Sequence, residues 1–368
     1  MKTQSSKQKL IYIANDLTDP HYNLAFEEYV FRNVAVICGQ AGGADVSAGP
    51  GAGALPVLLL WQNEPSVIIG KYQNTVEEIN YDYIRENGIH VVRRNTGGGA
   101  VYHDLGNLNY SFIIPDAETK VDFKTFTIPI VKALNAHGVP AEQTGRNDIL
   151  VEGKKFSGNA QQFASHRLLH HGTIMFDVEM EAVAKALRVK PGKFKSKATK
   201  SVRSRVTNLK PYFEDMASSG QERRACMTVT DVSDTLQFKA LLLDWFRREY
   251  DVIDVRLDET QLAEIEELKR NKYDTQEWNF GKSPKADIVR GDFFRCGQVE
   301  FRFTIKGHKI SDLKITGDFF AARDIEEFED MFIGCEYERD ALREVLEAAD
   351  LTSYLGDVTP EELLAIIV

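Results

Sequence analysis

Cysteine is scarce and unpaired in this chain: only Cys38, Cys226, Cys296 and Cys335 occur, and no two share a CxxC spacing. That argues against a disulfide framework or a structural zinc site and points to a reducing compartment. No stretch approaches the ~20 apolar residues of a membrane span, and the opening "MKTQSSKQKLIYIANDLTDP" lacks the apolar run of a signal peptide. A cytoplasmic protein with no membrane partner is expected. Excess positive charge is also missing: 45 Lys plus Arg stand against 55 Asp plus Glu, a net charge of -10, which disfavours binding to nucleic acid by charge attraction. No heptad or long apolar edge stands out, so a monomer is expected.

What is present fits a soluble globular chain, with 43% hydrophobic and 27% charged residues. Its 368 residues exceed a typical domain, so one large and one smaller domain are expected. "LIYIAN" reads as a strand and "HYNLAFEEYVFRNV" as a helix. Residues 38–56 are too rich in Gly and Ala to pack and read as a surface loop. "VLLLWQNEPSVIIGKYQN" reads as a β-hairpin turning at Pro65. "YDYIRENG" is a short helix stopped by Gly88, followed by the strand "IHVVRRN". "NLNYSFIIP" is a further strand. "FKTFTIPIVKALNAHG" is a helix stopped by Gly138, which Pro129 must bend unless it marks the first turn. "NDILVEGKKFSGNAQQF" gives two strands about a Glu-Gly turn, and "RLLHHGTIMFDV" a third. Residues 190–204 form a basic loop. The tail alternates as strands and ends in two acidic helices, a second small α+β unit.

Two stretches carry chemistry. In "RRNTGGGAVYHDLGNLN", residues 93–109, three consecutive glycines cost backbone entropy. They suit close approach of the main chain to a ligand, with Arg93 and Arg94 meeting an anionic group, or equally a tight turn beside solvated arginines. No Walker A or Rossmann fingerprint accompanies them. In "GRNDILVEGKKFSGNAQ", residues 145–161, strand alternation sends Lys154 and Lys155 to opposite faces, with Ser157 sharing the face of Lys155. Gly158 leaves room for a ligand against the strand. A lysine there can serve a phosphate and a carboxylate together, or be a solvated hairpin residue. Asp148 can hold a metal, orient a lysine or make a turn. His170 and His171 alternate across their strand, so a shared metal is not expected and one of them should hydrogen-bond within the sheet.

Together, "WQNEPSVIIGKYQN", "RRNTGGGAVYHDLGN", "GRNDI", "KKFSGNA", "HHGT" and "KSVRSRVTNL", in this order, resemble the lipoate-protein ligase family, which is related in fold to biotin ligases and octanoyltransferases. The resemblance covers most of residues 10–255, and "EWNFGKSP" with the tail resembles the family's accessory domain. It implies an α+β fold of mostly antiparallel sheets with flanking helices: a catalytic domain at 1–275, a linker at 276–282 and a small α+β accessory domain at 283–368.

The resemblance also implies a chemistry. ATP would activate lipoate as lipoyl-AMP with loss of pyrophosphate, with Mg2+ present. The acyl group would then pass to a lysine of an apo lipoyl domain, in a 2-oxoacid dehydrogenase E2 subunit, a glycine cleavage H protein, or both. Lys155 matches the essential lysine, an electrostatic centre rather than a covalent nucleophile. Arg94, Thr96, Gly97, Gly98 and Gly99 match the loop around the lipoyl tail and the phosphate. Val101, Tyr102 and His103 match the adenine wall, where main chain and an aromatic ring would hold the base. Asp148 falls near the adenylate or magnesium. Asp104, Asn147, Ser157, Gly158, Ala160, His171 and Thr173 match further substrate or ATP contacts, and Val202 and Arg203 a segment that closes over the adenylate. "VLLLW" and "SVIIG" are candidates for an apolar slot, and equally for ordinary core. The stretch 38–56 is longer than the family pattern, and Gln162 stands where some members carry a basic residue. The alternative is a lipoyl or octanoyl transferase taking a preformed activated donor, for which no cysteine lies in a matching motif. A biotin ligase and a non-catalytic binder of lipoyl domains are further alternatives.

Overall fold

The computed structural model describes residues 7–40, 55–115, 117, 122–144, 147–188, 206–218, 232–281 and 286–368. The basic stretch 190–204, with Val202 and Arg203, lies outside them, as do residues 41–54 of the Gly/Ala-rich stretch and Cys226.

The strands are β1 (Lys9–Ile13), β2 (Val57–Trp61), β3 (Ser66–Ile69), β4 (His90–Arg93), β5 (Val101–His103), β6 (Asn107–Pro115), β7 (Ala141–Thr144), β8 (Asp148–Val151), β9 (Lys154–Ala164), β10 (Arg167–Met175), β11 (Asp251–Val255), β12 (Ile288–Phe294), β13 (Gly297–Lys306) and β14 (Lys309–Gly317). Eight of them form one sheet in the order β11-β1-β2-β6-β10-β9-β8-β7, antiparallel except where β1 pairs β11 and β2. A second sheet, β4-β3-β5, and a third, β12-β13-β14, complete the set. The architecture is α+β with largely antiparallel sheets.

Strand alternation explains why the large sheet is covered on both faces. In β2, Leu58 and Leu60 join a core with Tyr110 and Phe112 of β6 and with Ile130, Leu242 and Phe246 from the helices Phe123–Ala136 and Thr235–Glu249. Val57, Leu59 and Trp61 point the other way, into a core with α1 (Pro20–Gln40), Ile68 and Val92. Each fully buried aliphatic of this kind is worth about 1.5–3 kcal/mol relative to exposure. A sheet buried on both faces accounts for the unbroken apolar run "VLLLW".

Two local expectations change, and one left open between alternatives is decided. β2 and β3 are not a hairpin, because β1 and β6 occupy both edges of β2 and leave none for β3. The connection is instead tied to α1: Asn23 Nδ2 donates to the Gln62 carbonyl at 2.7 Å, and Glu64 N to the Thr18 carbonyl at 2.8 Å. α1 runs on through Cys38, Gly39 and Gln40, since Ile37 and Cys38 still pack in the core. Pro129 sits inside the helix Phe123–Ala136 rather than in its first turn. The carbonyl it leaves unpaired belongs to Thr125, which is exposed and so open to water. Gly88 and Gly138 end their helices with φ of 63° and 85°, the left-handed stop that glycine accommodates. Glu152 and Gly153, with φ of 51° and 75°, make the tight turn between β8 and β9.

In the tail, Val299, Phe301 and Phe303 alternate inward along β13 against Leu313 and Ile315 of β14. Four helices cover them where two were expected: Ile325–Asp330, Arg339–Ala348, Leu351–Tyr354 and Pro360–Ile367. Two of these are short turns that the apolar periodicity does not reveal. This unit meets the rest through Phe319, stacked on Tyr72 at 4.9 Å, and through the Gly317 N–H, which donates to the Tyr72 carbonyl at 3.0 Å.

Candidate active site

A cavity of about 290 Å³ opens between β5, β6, β9, β10, the triple-glycine loop and residues 318–320 of the tail. Lys155, Asn147, Gly158, Ala160, His171 and Thr173 line it, and so do Arg94, Gly98, Gly99, Val101 and His103. Leu24, Trp61 and Ile68 are apolar members of its lining, so both apolar runs border the cavity as well as the core.

At the mouth, Lys155 Nζ lies 2.7 Å from Asp148 Oδ1, both side chains 38% exposed, whereas Lys154 is exposed on the other side of the strand. A bulge decides this arrangement. The register slips between Ile149, opposite Ser157, and Leu150, opposite Lys155, which leaves Phe156 as the extra residue. Lys155 therefore shares the cavity face with Gly158 and Ala160, while Phe156 enters the core and Ser157 turns inward beside Asn159. The expectation that Ser157 shares the face of Lys155 fails for this reason. Gly158 lines the cavity, and a β-carbon there would also sit 3.0 Å from Lys155 Nζ, so the glycine makes room for the lysine's own ammonium as well. Below it, Thr173 Oγ1 accepts from the Gly158 N–H at 3.2 Å. Asn147 and Asn159 lock the rim, with Asn147 Nδ2 donating to the Asn159 carbonyl and Asn159 N and Nδ2 donating back to that of Asn147, each at 3.0 Å. Val206 pairs with Lys155, and the Thr207 N–H donates to the Lys155 carbonyl at 2.9 Å.

The two arginines split in role. Arg93 is fully buried, and its guanidinium donates to the carbonyls of Gly70, Gln73 and Trp278 and to Thr75 Oγ1. Nothing of it is left for an anionic ligand, which corrects the expectation of a paired arginine clamp. Arg94 reaches the cavity but spends its donors on the loop: Nε to Thr96 Oγ1 at 2.9 Å, and one terminal nitrogen to the carbonyls of Gly97 at 2.7 Å and Gly99 at 2.8 Å. Burial pushes it down to about 10, so it stays charged at neutral pH. The glycine loop is thus folded around a cation.

Behind the loop, Thr96 Oγ1 lies 2.8 Å from His171 Nε2, and His171 Nδ1 lies 3.0 Å from both carboxylate oxygens of Glu27. His170 points to the opposite face, contacting Asn159 and Gln161 and stacking on Phe126 at 4.8 Å. Burial holds it neutral, well below the usual histidine range. The Tyr102 ring packs with the small sheet and does not line the cavity, because alternation along β5 sends Val101 and His103 inward instead. Asp104 is also turned away and accepts from the N–H groups of Gly106 and Glu179. Among the described residues no group of three or more His, Cys, Asp or Glu could hold a metal ion. Asp148 thus belongs to no such group, and a carboxylate by itself suits Mg2+ only when ligand oxygens complete the shell.

Sequence reading missed Glu27, Asn109, Asp318 and Phe320. The first is masked by its helical context and Asn109 by its place in a strand. The last two enter from a unit some two hundred residues further along the chain, for which no local signal exists.

Comparison with known proteins accords with this geometry. Residues 19–230 match the lipoyl protein ligase A/B catalytic domain, and residues 283–367 the bacterial lipoate protein ligase C-terminus. The lipoate-protein ligase LplJ of Bacillus subtilis (strain 168) is 40% identical, with 97% of this chain and 100% of that protein covered. Lipoate–protein ligase 1 of Staphylococcus aureus (strain Mu50) is also 40% identical, with 96% and 98% covered. Among solved structures, P. falciparum LipL1 in complex with lipoate superposes with a TM-score of 0.72 at 25% identity, with 93% and 95% of the two chains covered. No helix of the described residues is long and apolar enough to cross a membrane. The chain belongs to the lipoyl protein ligase family.

Proposed function

We propose that this enzyme is an ATP-dependent lipoate–protein ligase, with residues 1–275 as its catalytic domain and 283–368 as an accessory domain. In the first step a lipoate carboxylate oxygen bonds to the α-phosphorus of ATP, and pyrophosphate leaves with the electrons of the broken P–O bond. In the second, the amine of an acceptor lysine attacks the acyl carbon, AMP leaves, and the amine loses a proton. The acceptors are apo lipoyl domains of 2-oxoacid dehydrogenase E2 subunits, glycine cleavage H proteins, or both.

The observation that carries this reading is Lys155, held by Asp148 at the cavity mouth with an apolar slot behind it. Two anions must meet for the first step, and a fixed ammonium between them offsets their repulsion. The slot directs an acyl tail inward, so that its carboxyl end meets Lys155. The loop built on Arg94 offers backbone N–H groups on the phosphate side, and Val101 and His103 form the opposite wall. Asp148 would be the protein's single ligand to a Mg2+ arriving with the nucleotide, where the ion would supply further charge neutralisation. A ligase crystal structure bound with ATP, 25% identical with a TM-score of 0.55 and covering 75% of this chain and 99% of that one, supports the choice of nucleotide. A thiolate route lacks support among the described cysteines, since Cys38 and Cys296 are buried and none of Cys38, Cys296 and Cys335 lines the cavity.

The test is lipoate-dependent pyrophosphate release from ATP, followed by the mass shift of an apo lipoyl domain. Wild type is expected to do both. Lys155→Ala is expected to lose roughly 10²–10³-fold in release with an unchanged thermal midpoint, because a half-exposed ion pair adds little stability. Modification only when lipoyl-AMP is supplied would make the protein a transferase instead.

A further inference from the structure

The run from Gly97 to Gly99 has no side chains with which to hold its own shape, so that shape depends on the residues leading into it. Arg94 and Thr96 secure it on the cavity side, through the Gly97 and Gly99 carbonyls and His171. Asn95, between them, does not line the cavity, yet its amide is fully engaged. Asn95 Nδ2 donates to Glu28 Oε2 at 2.9 Å and to the Tyr273 hydroxyl at 2.7 Å, and Asn95 Oδ1 accepts from Lys272 Nζ at 2.7 Å. An ammonium can only donate, which fixes the orientation of the amide.

Lys272 and Tyr273 belong to a single π-turn, Lys269–Tyr273, that continues the helix Glu259–Leu268. Adjacent residues of an α-helix diverge by about 100°. Here both reach one carboxylate: Lys272 Nζ lies 3.0 and 2.8 Å from the two Glu28 oxygens, and the Tyr273 hydroxyl donates to Glu28 Oε2 at 2.5 Å. Such turns are rare and are frequently found at functional sites. The ammonium also lies 3.9 Å from the centre of the Trp278 ring. Neutralising Glu28, buried in α1, does not account for Lys272 by itself, because Arg32 one turn along α1 pairs with the same carboxylate. Of the two cations, it is Lys272 that bonds to Asn95.

We propose that Lys272 is a positioning residue for adenylation, which acts through Asn95 to hold the glycine loop in the shape that receives the phosphates of ATP. This rests on the ligase reading above. Backbone N–H groups stabilise an anion most when they are already aimed at it, and a triple glycine left to itself spreads over many conformations. The cage of Glu28, Lys272 and Tyr273 removes that freedom at Asn95, the first residue beyond β4, so the loop is set before the nucleotide arrives. Lys272 itself touches no substrate.

The experiment is steady-state pyrophosphate release by the full-length protein, with ATP and lipoate varied in turn at a temperature well below each thermal midpoint. Lys272→Met keeps an unbranched stem beside Trp278 and leaves Glu28 paired with Arg32, so no buried carboxylate is stranded. It should raise the KM for ATP about tenfold, the scale of one charge-assisted hydrogen bond, with the KM for lipoate within about twofold of wild type. Asn95→Ala should raise the KM for ATP similarly, and the double variant should be no worse than Lys272→Met, since both changes act through one contact. A role confined to stability would lower the active fraction and hence kcat while leaving the KM for ATP unchanged; that result, or additive losses in the double variant, overturns the inference and leaves the ligase reading intact. If Lys272→Met does not fold, Asn95→Ala decides, because an unchanged KM for ATP there overturns the inference equally. Wild type that releases no pyrophosphate with lipoate overturns the ligase reading and this inference with it.

Discussion

The Phe319 carbonyl oxygen occupies the space that a side chain at Gly97 would need, and the next residue, Gly98, donates its N–H to the same oxygen at 3.2 Å. The glycine loop is therefore shaped from two sides, by the Arg94 guanidinium within and by the tail unit without. Replacing Gly97 with Ala sets a methyl against main chain, which cannot swing away as a flexible side chain would. About 1–3 kcal/mol of destabilisation is expected, with a larger fall in adenylation than a comparable Ala substitution at Gly99, where the nearest tail atom is 3.8 Å away. Thermal midpoints and pyrophosphate release, measured on both variants, check this.

Arg93 gives a sharper separation of structure from catalysis. Its partners include the carbonyls of Gly70, Gln73 and Trp278, and Asn279 Oδ1 accepts from its backbone N–H at 2.9 Å, so it ties β4 to the helix Gln276–Phe280. Lysine cannot reproduce the fork. Arg93→Lys is expected to lose about 3 kcal/mol of stability, the scale of a broken buried charged network, while the KM for ATP of the folded fraction stays within about twofold. A large rise in KM at unchanged denaturation midpoint would place Arg93 on the ligand instead.

These particulars also show what can be read from a sequence. The opposed histidines, the left-handed glycine stops and the Glu-Gly turn follow from periods of two and of 3.6 and from backbone sterics, all of which are local. The inward turn of Ser157 depends on a one-residue bulge, and the separation of β2 from β3 on which strands had already taken the edges of β2. Both are set by tertiary pairing. Arg93 and Arg94 are adjacent and identical in type, yet one is a rivet and the other a loop core, because neighbours on a strand face different surroundings. Asp318 and Phe320 belong to the cavity through long-range packing alone.

The buried histidines predict how stability follows pH. Burial lowers His103 to about 3 and takes His170 well below its usual range, so both are neutral when folded. In the unfolded chain each protonates near 6.5. The unfolded state thus binds more protons below that pH, and folded stability falls as pH drops from about 6.5 towards the folded values. The pair should cost about 2 kcal/mol between pH 6.5 and 5.5, before most carboxylates titrate. Urea midpoints taken across that interval measure the slope. A flat profile would mean that the rings take up protons without unfolding.

Gly158 provides the finest probe of the role proposed for Lys155. A β-carbon there would lie 3.0 Å from Lys155 Nζ and 3.1 Å from Cε, close enough to displace the end of a flexible side chain but not the strand. Gly158→Ala should therefore fold with a thermal midpoint within a few degrees of wild type, because Lys155 can swing outward into solvent. The cost falls on the chemistry: the ammonium leaves its place beside Asp148, and a displacement of about 1 Å in a positioned charge lowers rates by up to roughly 10²-fold. Since the alanine adds no charge and removes no donor, the loss should appear in kcat for adenylation more than in the KM for lipoate. The Lys155→Ala,Gly158→Ala double variant should then be no slower than Lys155→Ala alone, the non-additivity expected when both changes act through one ammonium group. Additive losses would mean that Gly158 acts on the ligand directly, through its own main chain.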